Sequence, residues 1–184
     1  MYEYTKNWFY SSEIYRRILK YLPKNKKYNI LEIGCYEGLS SCFFSDNLLD
    51  NEDSTMDCVD PFLNIIDNDH KDLLDNNEED RFDNNIRKSK NFNKIKVHKI
   101  TSDDFFKGNK KMYDFIYIDG CHTNECVKND IENSYNFLME GGIMWLDDYG
   151  GGTPTDNFRE LVDNFINEKK CILLNKGYQV GLKK

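Results

Sequence analysis

The chain has 184 residues, 39% hydrophobic and 31% charged, with 3 Pro and 11 Gly: one domain's worth of sequence, which excludes disorder and collagen-like order. Its 25 Lys and Arg against 32 Asp and Glu leave a net charge of −7, so attraction to nucleic acid phosphates or anionic lipid is not expected. No run approaches the ~20 apolar residues that cross a bilayer, and Met1-Tyr-Glu-Tyr-Thr lacks a signal-peptide pattern, so a cytosolic protein is expected.

An aromatic lead, Trp8, Phe9 and Tyr10, reads either as a lid over a pocket or as a hydrophobic staple. Ser11 or Ser12 then caps a helix whose Ile14, Tyr15, Ile18, Leu19 and Leu22 keep helical spacing up to Pro23. Residues 29–33 form a short buried strand, broken by Gly34 and Gly38, and a helical pattern resumes over 39–49. A second strand, 56–59, ends at Asp60-Pro61, and residues 62–92 read as two helical pieces, the second carrying Phe82, Ile86 and Phe92. Strands recur at 95–100, 115–118 and 143–146, with helices between them, notably 123–138, and a last helix at 157–168. Residues 171–174 and 178–182 form a hairpin around Lys176-Gly177.

Strands alternating with helices predict an α/β fold in three layers, a mostly parallel Rossmann-like sheet to which the terminal hairpin adds one antiparallel strand. The whole of 1–184 is expected to be one domain, with 1–28 as an N-terminal helix and lid segment. The six cysteines show no C-x-x-C pair or zinc spacing, and are expected to be reduced and mostly buried. His70 and His98 read as surface or strand residues, Trp145 as core, and Tyr149 as standing at the pocket mouth.

In such sheets ligands sit beyond the carboxyl ends of the strands, so the residues just after each strand carry the information. After the first strand, Gly34 and Gly38 form either an ordinary glycine turn or one that lets the backbone approach a ligand ahead of a helix N-terminus. Asp60, 22 residues beyond Gly38, is placed to accept hydrogen bonds from the hydroxyls of a ribose, so the two features together point to a nucleoside-containing cofactor. Thr101-Ser102-Asp103-Asp104 serves as a helix cap, as a polar rim for an adenine, or both. Asp119 after the fourth strand and Asp147 with Asp148 after the fifth are like charges that repel at close range unless one takes up a proton or a divalent cation joins them. Oxygen ligands favour Mg²⁺, Mn²⁺ or Ca²⁺ over Zn²⁺. The competing reading makes Asp147 and Asp148 solvated loop acids and Asp119 a cap for the following helix. His122 beside this cluster is either a general base or structural. A Cys121, His122, Cys126 metal cluster is disfavoured, because Cys126 lies a helical turn away.

These residues resemble the class I S-adenosylmethionine-dependent methyltransferases. More narrowly, they are similar to the metal-dependent small-molecule O-methyltransferases typified by catechol O-methyltransferase, and to the compact family-24 methyltransferase domains. The motifs are Leu31-Glu-Ile-Gly-Cys-Tyr-Glu-Gly-Leu-Ser40, Val59-Asp-Pro-Phe62, Tyr113-Asp-Phe-Ile-Tyr-Ile-Asp-Gly-Cys-His122 and Gly141-Gly-Ile-Met-Trp-Leu-Asp-Asp-Tyr149, within a likeness running from Ile30 to Lys183. The resemblance implies that Glu32, Gly34, Tyr36, Gly38 and Ser40 surround the methionine part of S-adenosylmethionine, Asp60 the ribose, and Ser102 with Asp103 the adenine. It implies Mg²⁺ or another divalent cation on Asp119, Asp147 and Asp148, with Asp119 also counted among the cofactor-binding residues and, with His122, among the catalytic ones. In the catechol enzyme the third metal ligand is an amide, and a catalytic lysine stands three residues after the first metal aspartate. His122 holds that position here, which keeps a base in place but departs from the pattern for a catechol substrate. The implied acceptor is a small hydroxylated molecule such as a sugar or a phenol, with no nucleic acid or membrane partner, and a homodimer would complete an otherwise open pocket. The alternatives are an NAD-dependent oxidoreductase, which would normally carry a G-x-G-x-x-G fingerprint absent here, and a non-catalytic nucleoside-binding or scaffold protein.

Overall fold

The computed structural model describes residues 1–6, 12–63, 77–151 and 157–184, of which 12–15 by the main chain alone. The Trp8, Phe9, Tyr10 lead, His70 and the first of the two expected helical pieces after 62 lie outside the described residues. Helices and strands alternate as α1 (Ser12–Tyr21), β1 (Asn29–Ile33), α2 (Leu39–Leu48), β2 (Thr55–Val59), α3 (Glu78–Lys88), β3 (Ile95–His98), α4 (Ser102–Gly108), β4 (Tyr113–Ile118), α5 (Asn124–Phe137), β5 (Leu138–Leu146), α6 (Phe158–Lys169), β6 (Ile172–Lys176) and β7 (Val180–Lys183).

The seven strands form one sheet in the order β3-β2-β1-β4-β5-β7-β6. The first five in that order are parallel neighbours, while β7 runs antiparallel to both β5 and β6, so one antiparallel strand enters the sheet as expected. Strand order reverses between β1 and β4, which opens a crevice beyond their carboxyl ends.

The period-2 alternation of buried strands sorts their side chains onto two covered faces. Leu31, Ile33, Ile116, Ile118, Met144 and Leu146 face α4, α5 and α6 through Phe105, Ile131, Phe158 and Val162. Ile30, Phe115, Tyr117, Ile143 and Trp145 face α1, α2 and α3 through Ile18, Leu22, Phe44, Phe82 and Ile86. These are the three layers that the alternation predicts.

Boundaries shift where polar side chains intervene. The expected strand to residue 100 stops at His98, whose imidazole bonds Asp57 at 2.7 Å, and Ile100 is exposed. Thr101 caps α4 by accepting from the Asp104 N–H at 3.2 Å, and Thr123 caps α5 by accepting from the Cys126 N–H at 3.3 Å. Cys35, Cys42 and Cys58 are buried, but Cys121 is exposed and Cys126 and Cys171 are half-buried, so burial holds for half of the cysteines rather than for most. Tyr149 is also placed differently from expectation: it is buried in the α5–α6 layer with its hydroxyl donating to Asp163 at 2.9 Å. The ring that stands exposed beside the strand ends is Tyr178.

Candidate active site at the carboxyl ends of the strands

The loop after β1 is shaped by two carboxylates beneath it. Asp60 Oδ2 accepts from the main-chain N–H groups of Cys35 and Tyr36 at 2.7 and 3.0 Å, and its Oδ1 accepts from the Phe62 N–H at 2.8 Å. Asp60 is half-buried, and Oδ1, with a single N–H partner, keeps a lone pair for a further donor. Glu32 is fully buried and takes the hydroxyls of Ser40 and Ser41, one on each oxygen. Burial pushes its carboxyl up to about 7 against the opposing pull of those hydroxyls.

Gly34 turns at φ 81°, and a Cβ there would stand 2.0 Å from the Asp119 carbonyl oxygen, so only glycine lets the β1 and β4 loops meet. Gly38, also at φ 81°, opens α2, and Tyr36 adopts φ 45° between them. Glu37, 1% exposed, accepts from Thr5 N and Oγ1, each at 2.6 Å, and from Arg81 Nε at 2.5 Å. Sequence reasoning missed Glu37, because an acid between two glycines looks like a solvated turn residue.

Ser102 is half-buried and Asp103 exposed at the start of α4. Asp130, a buried acid of α5, has its carboxyl raised by burial to about 6. Asp130 was not singled out by sequence, since an acid on a helix ordinarily faces water.

Asp119 and Asp147 do converge: both line one pocket beyond the ends of β4 and β5. Burial first, and then the charges of Asp147 and Asp148, push the Asp119 carboxyl well above the usual carboxylate range. Asp147 is raised by burial and then by the Asp148 charge, partly offset by the Asp148 N–H at 2.8 Å and the Tyr117 hydroxyl at 2.8 Å. His122 Nε2 lies 3.1 Å from Asp148 Oδ2, and donor atoms of Asp119, His122 and Asp148 all lie within 4.8 Å of one another. Asp119 is therefore not simply a cap for α5, and the acids are not independent loop residues. A small, partly open cleft lies beside them, lined by Ile118, Val127, Leu146 and Phe158 together with Asp119, His122 and Asp147.

The donor chemistry fits a divalent cation, because carboxylates held this close repel one another and a hard cation between them relieves that repulsion. Glu32, Cys35 and Cys58 also bring donor atoms within 4.8 Å, but all three are buried beneath the glycine loop, away from the open cleft. Cys121 bonds Thr123 at 3.6 Å, and the structure groups His122 with carboxylates rather than with cysteines.

A family model described as a methyltransferase domain matches residues 31–149, which contain the glycine loop, Asp60 and the acid cluster. No curated protein matches the chain. Among solved structures, the chain is similar to a Clostridium thermocellum protein assigned as an rRNA-methylase, at 14% identity and a TM-score of 0.67, covering 95% of this chain and 97% of that one. It is also similar to the O-methyltransferase from Bacillus cereus in complex with SAH, at 15% identity and a TM-score of 0.64, covering 95% and 82%. A third is the O-methyltransferase TomG from Streptomyces achromogenes in complex with SAM, at 11% identity and a TM-score of 0.60, covering 91% and 77%. At these identities the likeness is one of fold.

Proposed function

The chain belongs to this methyltransferase-domain family and is an S-adenosylmethionine-dependent methyltransferase; from that premise we propose that it methylates a hydroxyl of a small molecule with the help of a divalent cation. The observation that carries the proposal is the convergence of Asp119, Asp147, Asp148 and His122 at the ends of β4 and β5, against the glycine loop of β1.

The cofactor supplies a methyl group already activated on a sulfonium, and a divalent cation, when bound, lowers the pKa of a hydroxyl and fixes its direction. Asp119, Asp147 and Asp148 would hold that cation. Asp60 accepts ribose hydroxyls through its spare lone pair. Gly34, Tyr36 and Gly38 shape the wall for the methionine part, while Glu32 and Ser40 brace that wall from below through their own hydrogen bond. Ser102 and Asp103 edge the adenine, and Asp119, whose carbonyl closes on Gly34, borders the cofactor as well as the cation.

His122, oriented by Asp148, would take the acceptor's proton, leaving the acceptor oxygen free to receive the methyl group that the cofactor would supply. The chain is read as one domain in which 1–28 forms the covering segment. Supporting this, the Glu3 N–H donates to Asn85 at 2.8 Å and Thr5 is bonded to Glu37. A cytosolic setting fits six free thiols, and among the described residues no helix is long and apolar enough to cross a membrane. The B. cereus and TomG likenesses favour an O-methyl product, and the net charge of −7 favours a small acceptor over RNA.

Calorimetry with S-adenosylhomocysteine and NADH, followed by methyl-transfer assays on hydroxylated small molecules and on RNA, tests the reading. Asp147→Ala is expected to abolish transfer while leaving S-adenosylhomocysteine affinity within a few-fold. Turnover that is equal in chelator would refute the cation's role, and NADH binding without S-adenosylhomocysteine binding would refute the cofactor.

A further inference from the structure

The turn between β6 and β7 sets two consecutive side chains against the two consecutive carboxylates that follow β5. The Tyr178 hydroxyl donates to Asp148 Oδ1, while Asp148 Oδ2 faces His122 Nε2 at 3.1 Å. Gln179 Nε2 donates to the Tyr117 oxygen at 3.2 Å, and the Tyr117 hydroxyl donates to Asp147 Oδ2 at 2.8 Å. Gln179 is itself fixed: its Oε1 accepts from Trp145 Nε1 at 2.7 Å, and its carbonyl from Asn175 Nδ2 at 2.7 Å. The direction of every proton in this chain is thus set, because an indole N–H only donates and the amide must then offer its NH₂ to Tyr117.

The main chain locks the same two segments together. The Gly150 N–H donates to the Tyr178 carbonyl at 2.7 Å. A Cβ on Gly150 would stand 2.5 Å from Tyr178 Cα, and one on Gly151 2.7 Å from the Tyr178 ring. The loop carrying the acids therefore has no slack relative to the hairpin.

We propose that Tyr178 and Gln179 are positioning residues of the active site: Tyr178 aims Asp148 directly, and Gln179 aims Asp147 through Tyr117. The proposal rests on the reading that these acids hold a cation. Carboxylates that ligate a metal depend on the hydrogen bonds that orient them, and loss of such a partner typically weakens metal binding about 10–100-fold.

The test uses Tyr178→Phe and Tyr117→Phe, which keep the rings and remove only the hydroxyls. Mn²⁺ titration followed by electron paramagnetic resonance, S-adenosylhomocysteine calorimetry, thermal unfolding and crystal structures of parent and variants are compared. Tyr178→Phe is expected to bind Mn²⁺ at least about tenfold more weakly, with S-adenosylhomocysteine affinity within twofold and an unchanged Tm. Its Asp148 carboxylate should turn away from His122, and Tyr117→Phe should release Asp147 in the same way. Parent-like Mn²⁺ affinity with both carboxylates unmoved would overturn the proposal. If the parent takes no Mn²⁺, the cation reading fails by itself and the crystal structures decide: displaced carboxylates uphold the positioning role, and unmoved ones overturn it.

Discussion

Asp60 braces the glycine loop through the main-chain N–H groups of Cys35 and Tyr36, fixes its own loop through that of Phe62, and offers what remains of its acceptor capacity outward. Asp60→Ala therefore leaves the Cys35 and Tyr36 N–H groups without their carboxylate and removes a charge-assisted partner for the ribose. Cofactor affinity is expected to fall by roughly 1–3 kcal/mol, with a smaller loss of Tm. Unchanged S-adenosylhomocysteine affinity in calorimetry would take Asp60 out of the site. Its place after β2 was legible in sequence, because the separation from the glycines is a property of one strand-turn-helix unit. Its bonds to Cys35 and Tyr36 were not, since they join residues of two strands that become neighbours only in the sheet.

The hairpin is the element whose role the chain order hides. β7 lies between β5 and β6, opposite Trp145, with Gly181 as that residue's register partner. A Cβ on Gly181 would meet the indole at 2.3 Å, and Trp145 is fully buried, so neither side can yield cheaply. Gly181→Ala is expected to destabilise the protein by about 1–3 kcal/mol and to disturb the Trp145–Gln179 bond that leads to Asp147. Urea unfolding with tryptophan fluorescence checks this, and parent-like stability would show that the indole has room to move. The hairpin itself was readable from its alternation and its Lys176-Gly177 turn. Its insertion beside β5, which brings Tyr178 and Gln179 to the acids, was not. Pairing of strands across α6 is a choice made by packing.

At the scale of the whole molecule, the buried acids make folding sensitive to pH. Glu32 is raised by burial to about 7 from an ordinary 4.5. Between those values the folded chain holds a proton that the unfolded chain has lost. Stability from this group is therefore fully present at and below about pH 4.5 and is lost as pH rises through about 7. The loss amounts to at most about 3 kcal/mol. Asp130, raised to about 6, adds a slope of the same sign. Urea unfolding at pH 5 and pH 8 should show a smaller fall for Glu32→Gln than for the parent; equal falls would mean that Glu32 does not hold its proton.

The sequence by itself determined the order of helices and strands, the two covered faces of the sheet and the presence of acids and glycines at strand ends. Those are local matters, set by side-chain period, turn residues and caps within a few positions of one another. Only the tertiary structure decided what these groups do to each other. Asp119 and Asp147, 28 residues apart in the chain, line one pocket because β4 and β5 are paired in register. Tyr149 turned inward while Tyr178, from the far hairpin, took the exposed place beside His122 and Asp148. The physical reason is that repulsion, burial and hydrogen-bond geometry act over a few ångströms, and sequence spacing reports such distances only within a single element.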